Sequence, residues 1–375
     1  MFKLPEIPTS IFSKMSKLSV ENEALNLSQG FPDFDVSPQL IELISSVSKG
    51  NVHQYSPMPG LPDLLEETSR LVHQSYGRVL NPQTEILITA GATQGIFTTI
   101  QALVSPGDEV LILDPSYDCY GMPIVLSQGV PIHIPLNKVF LPDWELIRAS
   151  ITDKTRLIIT NNPHNPSGRI WTHEDMEQLT LLLDENKNLY HLSDEVYEHI
   201  TFDQLHLSAN LYLGLQEKTI IVSSFGKSFH ITGWKIGYVV APKKIMNELK
   251  KVHQYLVFTV NSLGQHVLSK YLKTQNVQEL GAFYKEKRDL FRSGLQNSKF
   301  NLLPCEGTYF QLAAYDQISD ESDEVFCENL VAEYKLAAIP ISVFSAHNET
   351  QKIVRFCFAK ENKTLVKATT LLCKI

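Results

Sequence analysis

Short apolar runs alternate with longer amphipathic stretches through the middle of the chain. The runs are rich in Ile, Leu and Val without strict alternation, which is typical of strands buried on both faces. The stretch 172–186 has helical periodicity, with Thr172 as N-cap and Asp175 in the capping-box position. Strands that alternate with helices predict an α/β fold with a mostly parallel, two-sided sheet. The predicted strands are 85–90, 109–113, 130–135, 157–160, 189–192, 220–222 and 236–240.

The pattern changes near residue 276. A charged amphipathic helix, three short strands and a closing helix are predicted from there to the end of the chain. The bounds are 277–295 for the first helix and 308–312, 338–340 and 353–358 for the strands. We interpret 41–275 as the large domain and 276–375 as a smaller α+β domain. Residues 1–40 have little periodicity, and we expect an arm that completes the small domain or packs against a partner chain.

Composition narrows the class of protein without naming a reaction. The 375 residues carry 33 basic and 41 acidic side chains, a net charge of −8, whereas a nucleic-acid partner would require a basic surface. Hydrophobic residues make up 43%, enough for a sizeable core, yet no run approaches the roughly 18 apolar residues of a membrane helix. Residues 1–18 lack the apolar core of a secretory signal, and five scattered cysteines form no zinc spacing. We expect a soluble, cytoplasmic enzyme without a nucleic-acid, membrane or metal partner.

Unusual residues follow the predicted strands. Ligands of parallel α/β sheets bind beyond the carboxyl ends of the strands, so these loops are expected to form one site. Residues 91–95 open a helix with small residues and Thr93, which suits a phosphate, although an ordinary tight turn explains the same residues. Tyr117 could stack on a flat ligand or cap the core. The loop 161–168 contains two Asn-Pro steps and a glycine, which favours binding.

Two ionisable residues follow the next strands. Asp194 stands where a strand ends, and a carboxylate buried there requires a cationic partner; a helix N-cap is the alternative. The tripeptide at 226–228 imitates the end of a P-loop, but that motif needs glycine where this chain has Ile221. Burial would instead make Lys227 a nucleophile that forms a Schiff base with an aldehyde, the alternative being a surface lysine. Lys235 would add a second positive charge.

In chain order, these loops supply a phosphate site, an aromatic ring that could stack on a ligand, an Asn-rich loop, a carboxylate followed by Tyr197, and a reactive lysine. Pyridoxal 5'-phosphate requires such groups, because it has an aldehyde, a basic ring nitrogen and a phosphate. Each feature is weak alone. The ordered set predicts this cofactor.

The chain resembles the class I and II aminotransferases, which have fold type I among pyridoxal-phosphate enzymes. The resemblance runs from 26–33 to 354–358, and its most specific motifs are His164-Asn165-Pro166-Ser167-Gly168, Ser193-Asp194-Glu195-Val196-Tyr197 and 223–235. The motifs are most similar to the branch of kynurenine and glutamine transaminases and cysteine-conjugate β-lyases. The resemblance implies a large domain with a mostly parallel seven-stranded sheet flanked by helices, and a smaller α+β domain.

The resemblance also implies the cofactor contacts. Lys227 would bond to the aldehyde and shuttle the proton, and Asp194 would pair with the ring nitrogen. Asn165 and Tyr197 would hydrogen-bond the phenolic oxygen. The remaining implied contacts are Tyr117 stacked on the ring, and Ala92, Thr93, Ser224, Lys235 and the partner subunit's Tyr55 on the phosphate.

Substrate contacts follow from the same resemblance. Arg355 would bind the α-carboxylate, helped by Asn165 and the Gly30 backbone, although residue statistics alone favour a structural ion pair. Phe12, and Phe258 from the other subunit, would line the side-chain pocket of a homodimer; core packing is the alternative. An aromatic pocket implies methionine, aromatic amino acids, histidine or glutamine as amino donors.

The implied reaction is a ping-pong transfer of the α-amino group from an amino acid to a 2-oxo acid. A cysteine-conjugate β-lyase or kynurenine–oxoglutarate transaminase activity would use the same residues. A pyridoxal-phosphate-sensing regulator would carry a basic DNA-binding extension, whereas the first motif begins at Asn26 and the net charge is −8. A binding protein without chemistry is disfavoured by the buried charges it would keep.

Overall fold

The computed structural model describes residues 10–346 and 351–375. Residues 1–9 of the predicted arm lie outside the described part. The helices are α1 (Ile11–Glu21), α2 (Pro38–Val47), α3 (Pro62–Tyr76), α4 (Pro82–Glu85), α5 (Ala92–Leu103), α6 (Gly121–Leu126), α7 (Trp144–Ala149), α8 (His173–Glu185), α9 (Leu213–Gln216), α10 (Phe225–Ser228), α11 (Lys243–Leu256), α12 (Ser262–Tyr271), α13 (Glu279–Gly294), α14 (Asp323–Tyr334) and α15 (Asn362–Leu372).

The strands form one large sheet and two smaller ones. They are β1 (Leu25–Asn26), β2 (Ile86–Thr89), β3 (Glu109–Asp114), β4 (Val130–Pro135), β5 (Thr155–Asn161), β6 (Tyr190–Asp194), β7 (Thr219–Ser224), β8 (Gly237–Val240), β9 (Asn301–Leu302), β10 (Phe310–Ala314), β11 (Leu336–Ala337), β12 (Ile339–Pro340) and β13 (Ile353–Cys357). The large sheet has seven strands in the order β2-β8-β7-β6-β5-β3-β4. Only β8 runs antiparallel to its neighbours, as expected for a mostly parallel sheet.

The large sheet is covered on both faces, which explains the apolar runs of its strands. Ile86 and Ile88 of β2 pack into one core, whereas Leu87 packs into the core on the opposite face. Successive side chains of a strand point to opposite faces, so a strand buried on both sides must be apolar throughout. Burying one such side chain contributes roughly 1.5–3 kcal/mol, which makes these strands a main source of stability.

A third core belongs to the C-terminal part of the chain and to the N-terminal arm. Strands β12, β13, β10 and β9 form an antiparallel sheet in that order, and β1 pairs in parallel with β11. Met15 of α1 and Leu27 pack into the same core as Phe356. Core membership changes between Leu27 and Leu40 and between Val277 and Tyr284. The boundaries at 40/41 and 275/276 stay a prediction, close to these changes.

Several predicted bounds need correction. Glu85 belongs to α4, which is capped by the Asn81 side chain, and not to the strand that follows. The strand predicted over 308–312 begins only at Phe310, because Thr308 has a φ of 64°, outside the extended region. The strand predicted over 338–340 is shortened to β12, and the further short strand β11 precedes it. The capping box of Thr172 and Asp175 is confirmed, and the peptide bonds before Pro115 and Pro166 are cis.

Candidate active site

A cavity of about 440 Å³ opens at the carboxyl ends of β5, β6 and β7. Most of the side chains singled out from the sequence line it, although they come from distant parts of the chain. They are Phe12, Gly30, Ala92, Thr93, Tyr117, Asn165, Asp194, Tyr197, Ser224, Lys227, Lys235 and Arg355. The structure thus brings these residues together in one cavity, whereas the assignment of the cavity as the active site and the role of each residue stay predictions.

Asp194 is a buried carboxyl group with room for a further partner. It is the last residue of β6, and its Oδ2 accepts a hydrogen bond from the Tyr120 hydroxyl at 2.7 Å. Its Oδ1 accepts a weaker bond from the Val196 backbone N–H at 3.3 Å. Burial raises the pKa of Asp194 to about 6. Among the described residues no lysine or arginine pairs with it, so a cation bound in the cavity would complete its environment.

Lys227 lies in α10, directly after β7, and its amine points into the cavity. The amine donates hydrogen bonds to the Tyr309 hydroxyl at 2.9 Å and to the Gly30 carbonyl at 3.2 Å. Burial lowers the pKa of Lys227 to about 8, and the positive charges of Arg355 and Lys235 act in the same direction. A lysine in this state is neutral far more often than a surface lysine, so it suits nucleophilic attack on an aldehyde.

The start of α5 forms an anion-binding corner with Lys235. Gly91 precedes the helix with a φ of 76°, and a Cβ placed on it would come within 3.2 Å of the Lys235 Nζ. The ammonium group therefore lies over the first turn, where the backbone N–H groups of Ala92 and Thr93 lack helical acceptors. Ser224, at the end of β7, borders the same corner. This arrangement suits a phosphate.

Arg355 lies in the middle of β13 and is 1% exposed. Its Nη1 donates to Asn165 Oδ1 at 2.6 Å and its Nη2 to the Ser28 carbonyl at 3.1 Å, while its Nε has no partner within 10–346 and 351–375. The guanidinium carbon lies 3.9 Å from the Phe310 ring centroid. No carboxylate among the described residues pairs with Arg355, so the structural ion pair that statistics favoured is absent from this part of the chain. An anionic ligand would supply the missing charge.

Asn165 and Tyr197 complete the polar wall of the cavity. The Asn165 N–H donates to Asn161 Oδ1 at 2.7 Å, and the Asn161 side chain donates in turn to the Asp194 carbonyl at 2.9 Å. Asn161 therefore ties the 161–168 loop to the end of β6. The Tyr197 ring packs edge-on against Tyr309, with centroids 5.3 Å apart.

Two predicted residues lie outside the cavity. Tyr55 is 82% exposed and Phe258 is 47% exposed, and their rings pack edge-on with centroids 5.5 Å apart. Neither reaches Lys227 within one chain. Both were assigned to the cavity of a partner subunit, and that assignment stays a prediction.

The sequence interpretation missed several residues of the site. Tyr120 and Tyr309 bond directly to Asp194 and Lys227, and Phe344 packs edge-on against Phe12 with centroids 6.0 Å apart. Asp118 also lines the cavity, and burial raises the pKa of its carboxyl group. A signal existed for Asp118 and Tyr120, which follow Tyr117 within three residues and so stay near the same strand end, and for Tyr309, which lies in the motif at 304–310.

Two further carboxyl groups are buried beneath the cavity wall. Glu195 accepts hydrogen bonds from Ser193 Oγ at 2.8 Å and the Ala209 N–H at 3.0 Å, and it lies 2.8 Å from His206 Nε2. Burial would raise its pKa, but the charge and hydrogen bond of His206, together with the hydrogen bonds from Ser208 and the Ala209 N–H, lower it. Glu198 accepts from the hydroxyls of Tyr76, Tyr238 and Ser223.

The fold and the cavity together place the chain in one class of protein, the transaminases built on a mostly parallel seven-stranded sheet. The chain belongs to the aminotransferase class I and II family, whose model matches residues 22–370. The membership predicted from the motifs is thereby confirmed, and the protein is a transaminase.

Individual relatives sharpen this placement. The chain is 42% identical to the methionine aminotransferase of Escherichia coli (strain K12) over 99% of this chain and 97% of that protein. It is 32% identical to the kynurenine–oxoglutarate transaminase of Dictyostelium discoideum over 98% and 94%. The motifs at 29–35 and 304–310 resemble the bacterial methionine aminotransferase within this branch, and that resemblance is confirmed.

Solved structures agree in fold. An Escherichia coli protein with a methionine aminotransferase function superposes with a TM-score of 0.98 at 42% identity, over 100% of this chain and 99% of that one. The N-succinyldiaminopimelate aminotransferase of Mycobacterium tuberculosis gives 0.94 at 32% identity, over 100% and 99%. The described part of the chain contains no helix long and apolar enough to cross a membrane.

Proposed function

We propose that this chain binds pyridoxal 5'-phosphate and transfers α-amino groups from methionine, aromatic amino acids, histidine or glutamine to 2-oxo acids. The observation that carries the proposal is that Lys227 and Asp194 line the same cavity. A buried amine with a lowered pKa and a buried carboxyl group line one cavity without pairing with each other. A ligand that needs both an amine and an acid fits between them. When bound, the cofactor supplies an electron sink for the bond broken at the substrate Cα.

The residues around the cavity would hold each part of this cofactor. Lys227 would bond to its aldehyde, and Asp194 would hold the proton on the ring nitrogen. The helix start at Ala92 and Thr93, with Ser224 and Lys235, would bind the phosphate. The further contacts proposed are the Tyr117 ring against the pyridine ring, and Asn165 and Tyr197 at the phenolic oxygen.

Arg355 would orient the substrate. Its guanidinium is buried, is fixed by Asn165 and Ser28, and lacks an anion among the described residues, so it is poised for an α-carboxylate. When it is not bonded to the cofactor, the Lys227 amine would take the proton from the substrate Cα and transfer it to the cofactor carbon. Binding by Arg355 would keep the Cα within reach of the amine.

The side-chain pocket would favour uncharged donors. Phe12 and Phe344 pack edge-on beside Arg355, and the Asp118 carboxyl group lines the same cavity. An aromatic wall suits thioether and aromatic side chains, whereas Asp118 disfavours a second carboxylate. Two of the relatives are a methionine and a kynurenine–oxoglutarate transaminase, in keeping with such a pocket.

The active unit would be a homodimer with shared active sites. Tyr55 and Phe258 form an exposed aromatic pair, which is costly to leave in water. In the dimer, Tyr55 would contact the partner's cofactor phosphate and Phe258 the partner's substrate pocket. Tyr55 and Phe258 lie outside the cavity of their own chain. In the dimer they would thus contribute to the cavity of the partner subunit.

The test is the half-reaction with single amino acids. The purified protein loaded with pyridoxal phosphate is mixed with one amino acid and no acceptor, and the absorbance of the bound coenzyme is followed. We expect conversion to the amine form with methionine, phenylalanine and glutamine, and far slower conversion with aspartate. No conversion by any amino acid would contradict the proposal, and pyruvate with ammonia from a cysteine conjugate would reveal β-lyase chemistry.

A further inference from the structure

Tyr309 is a buried tyrosine whose hydroxyl touches the Lys227 amine. It is 0% exposed and stands directly before β10. Its hydroxyl donates to the Gly30 carbonyl at 2.7 Å and accepts from Lys227 Nζ at 2.9 Å. The amine also donates to the same carbonyl at 3.2 Å. Two neighbouring oxygen atoms therefore receive two N–H groups of one amine.

This arrangement has a consequence for the direction of the amine. A neutral amine has two N–H groups and one lone pair. When Tyr309 and Gly30 accept both N–H groups, the lone pair is left unbonded and points away from the two oxygens. The amine lines the cavity, so the free lone pair is available to groups within it.

We propose that Tyr309 is a positioning residue that, together with the Gly30 carbonyl, holds the Lys227 amine whenever the amine is not bonded to the coenzyme. The inference rests on the proposed function. The amine held in this way would be placed to accept the proton from the substrate Cα. Tyr309 keeps its own proton throughout, because its hydroxyl donates to Gly30 and burial raises its pKa well above the ordinary value.

The surroundings of Lys227 contain several other groups that act on its charge. Burial and the charges of Arg355 and Lys235 disfavour the ammonium form, whereas the charge of Asp194 favours it. The Tyr197 and Tyr309 rings each lie 5.6 Å from the amine. Tyr309→Phe leaves these charged groups and both rings in place and removes only the hydrogen bonds of the Tyr309 hydroxyl, which are those with Lys227, Gly30 and Tyr197.

Tyr284 provides a matched control. It is a second fully buried tyrosine, its ring centroid lies 5.6 Å from that of Tyr309, and its hydroxyl has no hydrogen-bond partner among the residues that the structure describes. Tyr284→Phe therefore removes a buried hydroxyl from the same aromatic cluster without touching Lys227. Loosened packing alone would affect both variants alike.

The first readout does not require turnover. The full-length protein freed of coenzyme is labelled with acetic anhydride across a pH series, and the labelling of Lys227 is measured by peptide mass spectrometry. An acceptor stabilises an ammonium group more than a neutral amine, so Tyr309→Phe should lower the pKa of Lys227 by about one unit. Tyr284→Phe should leave it unchanged. An unchanged pKa in Tyr309→Phe, or an equal shift in both variants, would overturn the inference.

The second readout is the single-turnover half-reaction with methionine. Tyr309→Phe should slow conversion about tenfold at saturating methionine, with unchanged coenzyme affinity, as expected for one lost orienting hydrogen bond. Equal rates for wild type and Tyr309→Phe would overturn the positioning role. If the wild type itself converts no amino acid, the proposed function fails, while the labelling experiment still decides whether Tyr309 holds the amine.

Discussion

Asp194 and the neighbouring pair Glu195 and Glu198 differ in their hydrogen bonding, although all three carboxyl groups are buried. Glu195 and Glu198 each have three strong partners in the described structure, from side chains and backbone of other elements. Asp194 has one strong partner and one weak partner, and it borders the cavity. Burial alone therefore does not separate a functional acid from a structural one. The feature that separates Asp194 from Glu195 and Glu198 is its unfilled hydrogen-bonding capacity.

The largest expected effect is that of Lys227→Ala. If Lys227 bonds to the coenzyme aldehyde and moves the proton, as proposed, removing its amine removes both functions, so we expect no measurable transamination. Coenzyme retention after dialysis and turnover with methionine measure both losses. The exposed Lys244→Ala serves as control and should behave as wild type. Turnover at the wild-type rate in Lys227→Ala would refute the assignment.

Asp194→Asn and Glu195→Gln should separate the two kinds of acid. Asp194→Asn keeps the shape but loses the charge that we propose pairs with the ring nitrogen, so turnover should fall by about two to three orders of magnitude while the fold is kept. Glu195→Gln leaves His206 without its carboxylate, which should lower the free energy of unfolding by about 2–4 kcal/mol. Urea unfolding and turnover, measured on both variants, give the comparison. The reverse pattern would show that Asp194 is the structural acid.

The strand ends of the large sheet could be predicted from the sequence, because each is marked locally by an apolar run followed by unusual polar residues. Lys227 and Asp194 were found in this way. The contact of Tyr309 with Lys227 joins residues 82 positions apart, and its contact with Gly30 joins residues 279 positions apart. No local pattern encodes such a contact. Thr308 likewise shows no sequence sign of its positive φ, which delays the start of β10.

The pH dependence of stability should also distinguish Asp194. Its pKa in the folded protein is about 6, above the ordinary value near 4, so unfolding releases a proton between these values. The free energy of unfolding of the coenzyme-free protein should therefore fall as pH rises from 4 to 6, by up to about 3 kcal/mol from this group. Urea unfolding of wild type and Asp194→Asn across this range isolates the contribution. A constant difference between them would contradict the assignment.

A smaller effect is expected for Arg355→Lys. Lysine keeps the charge but loses the planar fork that contacts Asn165 and Ser28, so kcat/KM for methionine should fall about tenfold. Initial rates at varied methionine concentration measure this change. The half-exposed pair of Arg148 and Glu185 provides a control, and Arg148→Lys should change little. Equal kcat/KM for Arg355→Lys and wild type would remove Arg355 from the substrate site.

Borohydride reduction of the coenzyme-loaded protein tests the central claim most directly. Reduction fixes a Schiff base as a stable secondary amine, and peptide mass spectrometry then identifies the lysine that carries it. The account predicts one added pyridoxyl phosphate per chain, on the peptide and residue of Lys227. A label on Lys235 or another lysine, or no label after reconstitution, would contradict it.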